Sequence, residues 1–523
     1  MAELLPGRVP PFEVARGYHP IVDYRYVNAG QPRWVGADGK PIHYWETADP
    51  EEIRAEHANV PRGIELRSQE AERSEPILTC TEPWEYNNGG PAIIRDGGLY
   101  RMWYHAIAPD HWDPEIAPTL GWGPDWGGFV CYAESDDGYE WRKPDCGQYA
   151  WQGQDATNIV FGRELAGEPG IHGESVFLDP QAPAHERFKC FYMGRLSKDV
   201  ISQWAREQPE RVDPWIAEHP DRGFYAATSP DGIRWTAHPE PVVIFISDTM
   251  NVVDWNAERQ SYVWYSRGWS WDRRTIARAE TRDFFCWPLP EPCLTTPPEH
   301  PAFTDIYTNG KVTYPGDPST HLMFPTLYDR ALDTTSLAVA ASSDDVVWNW
   351  VPGGPVLEPG AEGTFDAGCL FGCKGLVELA GDRIGTPYSG NDLPHKYPRQ
   401  NLQSATAYAT WERGRIAGLV AEGDGSFATP QMQLQGREVR LNVKTAADGQ
   451  VRVTALERGP GWTSRPGHGA WVEVGESRSI QGDHLGVPVD WNGSTALPLS
   501  RHGPVILQFE LRKATLFGFE VAG

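Results

Sequence analysis

The sequence predicts an all-β chain, a five-bladed β-propeller followed by a β-sandwich, and three observations carry that reading. One is a short recurring motif: Ser135-Asp136-Asp137-Gly138-Tyr139-Glu140-Trp141, Ser229-Pro230-Asp231-Gly232-Ile233-Arg234-Trp235, Thr281-Arg282-Asp283-Phe284-Phe285-Cys286-Trp287 and Ser342-Ser343-Asp344-Asp345-Val346-Val347-Trp348. Asp and Gly tolerate the left-handed backbone of a tight turn, and the Trp returns to the sheet with a large apolar face. Composition is the second: 23 Trp and 20 Tyr with 54 Gly and 46 Pro in 523 residues favour β structure with many turns. The third is a change after about residue 411, where longer alternating runs replace the motif.

Taken in order, residues 1–75 read as an irregular extension rich in Pro, Gly and charge, with a short helical candidate at Pro50–Glu56. Residues 76–411 hold the repeat. Each unit has an inner run and an aromatic middle run, and the first four close through the Asp-turn-Trp motif. The inner runs are Gly90–Ile94, Ser175–Leu178, Asn251–Trp255, Gly310–Tyr314 and Gly368–Phe371. Five units of three or four strands, repeated radially, make a propeller. Two insertions stretch the early units: a Pro/Trp-rich one at 106–127, and one at 197–222 with a helical candidate at Val200–Arg206. Residues 412–523 supply strands such as Val439–Val443, Gln450–Leu456, Val505–Leu511 and Ala514–Phe519, which together suit a β-sandwich.

The bulk properties narrow the function classes. A formal net charge of −25 argues against nucleic acid and anionic membranes, which need a basic footprint. A neutral, small carbohydrate is compatible, and an indole face stacks well on the C–H face of a sugar ring. The first residues, Met1–Arg8, have no basic segment ahead of an apolar run, so a cytoplasmic location is expected. Eight scattered Cys without a His cluster read as reduced thiols and not as a zinc site. No cofactor is required by this reading; a structural Ca2+ and a homo-oligomer both stay open.

In a propeller the leading ends of the inner strands ring the channel mouth. An acid stands near each: Glu82 and Glu85 in the first unit, Glu174 (beside His172) in the second, Asp248 in the third, Asp305 in the fourth, Asp366 in the fifth. Converging acids shift one another's pKa values, and glycoside hydrolysis needs such a pair. Asn251, Arg267, Tyr307 and His395 are further candidates for the mouth, as substrate-binding groups together with Asp305 and Asp366. The alternative for these acids is capping of strand entries through backbone N–H groups. Asp137, Asp231, Asp283 and Asp344 belong to the repeated turn and are excluded from chemistry.

This layout resembles the five-bladed propeller glycoside hydrolases of families 32, 43 and 68. The C-terminal part is similar to the family 32 sandwich, through Arg415–Leu419, Gln433–Asn442, Gly482-Asp483, Val489-Asp490-Trp491 and Arg512–Phe517. The resemblance implies a glycosidase that cleaves a small oligosaccharide, a furanoside such as an arabinofuranoside or fructofuranoside among the options. It implies a first-blade nucleophile or base, a second-blade acid that orients it or stabilises the transition state, and a third-blade proton donor. Carried over by position, these roles fall on Glu85, Glu174 and Asp248. The sequence departs from the family twice: Pro83-Trp84-Glu85-Tyr86-Asn87-Asn88-Gly89-Gly90 replaces the family 32 signature, and the third-blade acid is Asp. Two rivals stand beside this reading, a phosphorylase on the same fold and a non-catalytic glycan-binding propeller.

Overall fold

The repeated motif folds as its chemistry demands. In the computed structural model Ser135 Oγ accepts from the Gly138 amide at 2.9 Å, and Asp137 Oδ1 accepts from the Tyr139 and Glu140 amides at 2.8 and 2.9 Å. Trp141 Nε1 then donates to the Gly138 carbonyl at 2.9 Å. The same bonds recur around Ser229, Asp231 and Trp235. Gly232 has φ +79°, and a Cβ there would stand 2.4 Å from the Trp103 ring, so both backbone and packing require glycine. In the fourth copy Asp345 takes the left-handed place, at φ 60°. Its carboxylate is buried with Lys311, Asn256 and Tyr265.

The structure describes residues 11–29, 60–107, 128–162, 171–218, 222–248, 250–297, 299–396, 404–458, 471–500 and 503–523, with the backbone of 34–35 and 41–42. The helical candidate at 50–56 and nearly all of the 106–127 insertion lie outside them. The described chain divides into two compact units. One comprises Glu70–Trp350 and Gly354–Glu412; the other comprises Met1–Gln69, Val351–Gly353 and Arg413–Gly523.

The larger unit is built from antiparallel sheets in sequence order. The first three run Asn87–Asp96, Leu99–Ile107, Phe129–Ser135, Ile159–Phe161; then His172–Leu178, Phe188–Arg195, Arg222–Ser229, Thr236–Ala237; then Val252–Asn256, Ser261–Ser270, Arg273–Thr281, Glu291–Leu294. The fourth blade is split into two hydrogen-bonded halves, Thr304–Ile306 with Thr326–Asp329 and Thr334–Leu337, and Val312–Thr313 with His321–Met323, Ala340–Ser342 and Asn349–Trp350. Pro325, which has no N–H, sits at the split. Bonds from Tyr307 N to Thr326 O and from Phe324 N to Gly310 O carry the pairing across it. The fifth sheet holds Cys369–Gly372, Val377–Leu379, Arg383–Asn391 and Ser404–Glu412. Each sheet packs on the next, and the fifth packs on the first, so five blades among the described residues close a ring.

Closure has two visible causes. Glu72–Arg73 and Leu78–Thr79, which precede the first blade in the chain, pair with Ser404–Glu412 as the outer edge of the last. That explains why the fifth unit lacks an Asp-turn-Trp copy: its outer edge comes from the other end of the repeat. At the ring's centre Lys374 Nζ donates to the carbonyls of Val176 (3.0 Å) and Val253 (2.7 Å) and pairs with Asp254 at 2.9 Å, so one fifth-blade side chain ties the second and third blades.

The insertion at 197–222 contains the expected helix, Lys198–Glu207, capped by Ser197 and packed through Ile201 and Trp204 on Val212, Ile216 and Ile244. No helix among the described residues is long and apolar enough to cross a membrane.

The smaller unit, where the sequence suggests a β-sandwich, has its strands hydrogen-bonded into one continuous nine-stranded sheet. Glu438–Arg458 and Val505–Ala522 run its full length, and bulges at Asn442/Val443 and Thr445/Gln450 bend them. The N-terminal segment differs from the irregular extension the sequence suggested. Phe12–Val14 pairs in parallel with Met432–Leu434, Gly17–Pro20 pairs with the last strand, and Glu65–Ser68 pairs with Ala417–Ala428. Short strands of three or four residues carry too little periodicity to be read from sequence.

Candidate active site

Two inner strands bulge where they enter the ring. Asn87–Asp96 shifts register between Gly89 and Ala92, around Gly90 at φ +59°. His172–Leu178 shifts between His172 and Ser175, around Gly173 at φ +60°. A bulge re-aims the neighbouring side chains. Here Asn88 and Glu174 both line a cavity of about 220 Å³ together with His105, His172, Asp248, Met250, Tyr307, Phe371 and His395.

Glu174 is the more buried of the two acids that line the cavity. Its Oε2 meets His105 Nδ1 at 3.2 Å, while among the described residues Oε1 has no hydrogen-bond partner although it is buried. Burial alone would raise this carboxyl. The charge and hydrogen bond of His105 outweigh it and hold Glu174 below the usual carboxylate range. Gly128 makes the arrangement feasible: a Cβ there would fall about 2.1 Å from the His105 ring.

Asp248 faces the same cavity from the third blade and is paired with Arg267. Its side chain keeps 27% of its exposure, against 5% for Glu174. Arg267 in turn lies over the Tyr307 ring, 4.4 Å from its centre. His172 Nε2 bonds the Asp248 carbonyl, so the second and third blades are joined behind the two acids. Burial and the neighbouring His105 hold His172 down to about 4, from an ordinary 6.5.

That depression has a consequence for stability. A histidine whose folded pKa lies below its unfolded value resists protonation in the fold, so stability falls as pH drops from about 6.5 to about 4. His172 is faced by His105, Glu174 and Asp248. We expect His172→Gln to flatten this acid limb, measured as melting temperature from pH 7 to pH 4. An unchanged slope would assign the limb to other groups.

The candidate residues divide into two sets. Glu174, Asp248, Tyr307 and His395 line the cavity, and Arg267 touches it through Asp248 and Tyr307. Glu85 does not reach it. Its Oε2 accepts from the Thr81 and Glu82 amides (3.0 and 3.2 Å) and from Lys143 (2.6 Å), and its Oε1 accepts from Tyr104. It is a strand-entry acid, fully occupied inside its own blade. Asp366 is likewise held by Tyr388, Thr364 and Arg73. Asp305 binds Arg274 and Arg330 at 2.6 and 2.7 Å. Asn251 spends its amide on Gly173, Ser247 and Trp264, and so props the second-blade bulge.

Asn88 and His105 were not singled out from sequence. Asn88 is 4% exposed, and among the described residues neither atom of its amide has a hydrogen-bond partner. A buried polar group left open toward a cavity is what a ligand hydroxyl would satisfy. The available signal was the Asn88-Gly89-Gly90 run, a bulge sequence at the head of an inner strand. Arg and Lys are absent from the described cavity lining, and among the described residues no group of three or more His, Cys, Asp or Glu is placed to hold a metal ion.

No family model and no curated protein matches this sequence. Solved structures do. A thermostable family-43 glycoside hydrolase is 11% identical with a TM-score of 0.39, covering 63% of this chain and 92% of that one. The Bombyx mori GH32 beta-fructofuranosidase is 10% identical with a TM-score of 0.39, covering 86% and 94%. An N-acetylgalactosamine deacetylase from F. plautii, solved with blood group B trisaccharide, is 10% identical with a TM-score of 0.43, covering 67% and 96%.

Proposed function

We propose that this chain is a glycoside hydrolase that cleaves a glycosidic bond in a small, neutral oligosaccharide, with Glu174 and Asp248 as its carboxylate pair. The observation that carries the reading is their placement on one cavity in unlike surroundings: Glu174 buried against His105, Asp248 more exposed and paired with Arg267. Carboxylates in unlike environments divide the acid and base roles. Glu174, kept ionised, is the nucleophile or the base that activates water. Asp248, the more exposed of the two, takes the role of proton donor to the leaving oxygen. Asn88, an amide from the first blade, binds a sugar hydroxyl through its open donor and acceptor. Met250 and Phe371 give the apolar wall that a ring's C–H face needs.

A furanoside is the finer expectation, from the resemblance. The test is a panel of 4-nitrophenyl glycosides and neutral oligosaccharides, with and without inorganic phosphate, on wild type, Glu174→Gln and Asp248→Asn. Hydrolysis without phosphate, lost in both variants, is expected. Turnover that needs phosphate would make the chain a phosphorylase. Turnover equal in all three proteins would remove the carboxylate pair.

A further inference from the structure

The cavity holds about 220 Å³, below the roughly 300–1,000 Å³ of pockets that enclose a drug-sized ligand. It has room for about one sugar ring, so the rest of an oligosaccharide must lie on the surface outside. The third blade carries a surface suited to it. Its strands Ser261–Ser270 and Arg273–Thr281 are joined by the two-residue turn Trp271-Asp272, with φ 51° and 65°. This turn type normally takes Asn-Gly or Asp-Gly. A Trp in a left-handed conformation is disfavoured, and such strain is retained mainly where function uses it.

Exposure makes the same point independently. Among the described residues most Trp side chains are buried or half-buried; Trp269 is 53% and Trp271 96% exposed, and the other exposed Trp is Trp215 of the 197–222 insertion, at 55%. Arg267 and Trp269 alternate along one strand, which puts them on one face, and Trp271 follows in the turn at its end. Arg267 is bonded to Asp248 of the cavity. Arg274 lies 5.3 Å from the Tyr307 ring centre on one side and 5.0 Å from Trp269 on the other. The ladder thus runs from the cavity wall outward through Tyr307, Arg274 and Trp269, with Trp271 at the turn beyond.

Asp305 keeps that ladder rigid. Burial would raise its carboxyl, but bonds from Arg330 and Arg274 hold it below the usual carboxylate range. Arg330 also donates to the Asp272 carbonyl at 2.8 Å, so the turn itself is braced. A floppy exposed hairpin would have no use for such a brace.

We propose that the Trp269–Trp271 hairpin is a stacking platform for the second and third sugar units of the substrate. This rests on the glycosidase reading and adds where the second and third sugar units of the oligosaccharide lie. The platform recognises ring faces, so it tolerates different neutral sugars there, whereas the cavity sets the identity of the first.

The test uses Glu174→Gln, which keeps bound sugar intact, alone and combined with Trp269→Ala or Trp271→Ala. Calorimetric titration with kestose, arabinotriose and xylotriose is compared with fructose, arabinose and xylose. We expect the best trisaccharide to bind about tenfold more weakly in each Trp variant, with its monosaccharide unchanged. Equal trisaccharide affinity in the variants, or no trisaccharide bound by the parent, overturns the platform. An equal loss for the monosaccharide would also overturn it, since the hairpin would then be shaping the cavity. Trp271 is almost fully exposed, so its truncation leaves the fold intact. Hydrolysis by wild type with no effect of either Trp variant would sink this inference alone and leave the glycosidase reading standing.

Discussion

Glu174→Gln is expected to lower kcat on the best glycoside by about a thousandfold or more, with little change in KM. The amide has nearly the shape of the carboxylate and can still accept from His105, but it cannot attack or take a proton. The informative control is Glu85→Gln. Its carboxylate accepts from Lys143, Tyr104 and two backbone amides inside the first blade. We therefore expect Glu85→Gln to keep turnover within a few-fold while costing about 1.5–3 kcal/mol of stability, the usual worth of charged hydrogen bonds. Steady-state kinetics and thermal melts on both proteins decide it. The reverse pattern, with Glu85 essential to turnover and Glu174 dispensable, would return catalysis to the first blade.

Lys374→Ala should be the most destabilising single change in the propeller, by about 3–5 kcal/mol. Its ammonium satisfies Val176, Val253 and Asp254 at the ring's centre, and truncation leaves those oxygens without their donor. Burial pushes the Lys374 ammonium below its ordinary pKa even though Asp254 pulls the other way. The charge is thus costly to house, and its worth lies in the three acceptors it joins. Urea unfolding gives the measurement. Lys374→Met fills the volume without the donor, so a loss similar to that of Lys374→Ala would assign the effect to hydrogen bonding. A loss below about 1 kcal/mol would mean that the blades close without this tie.

Much of the architecture was legible because its signals are local. Ser229, Asp231, Gly232 and Trp235 complete their turn within seven residues, so the motif can be read without knowing anything distant. The helix at Lys198–Glu207 was legible as the candidate at Val200–Arg206, within a single insertion. The N-terminal strands were not legible. Glu65–Ser68 and Leu78–Thr79 are strands only because Ala417–Ala428 and Ser404–Glu412 come alongside, more than 300 residues later.

The site shows the same division more sharply. By itself the sequence determined that acids stand at the heads of the inner strands, and it placed Glu174 and Asp248 among them. Only the tertiary structure decided which acids are open for chemistry. Arg330 and Arg274 claim Asp305, Arg73 claims Asp366, and Lys143, 58 residues away, claims Glu85. Asn88, which no acidic pattern reveals, was left facing the cavity. The physical reason is that a carboxylate's availability depends on the cations and amides that reach it. Those partners arrive from distant parts of the chain, at separations that no local pattern encodes.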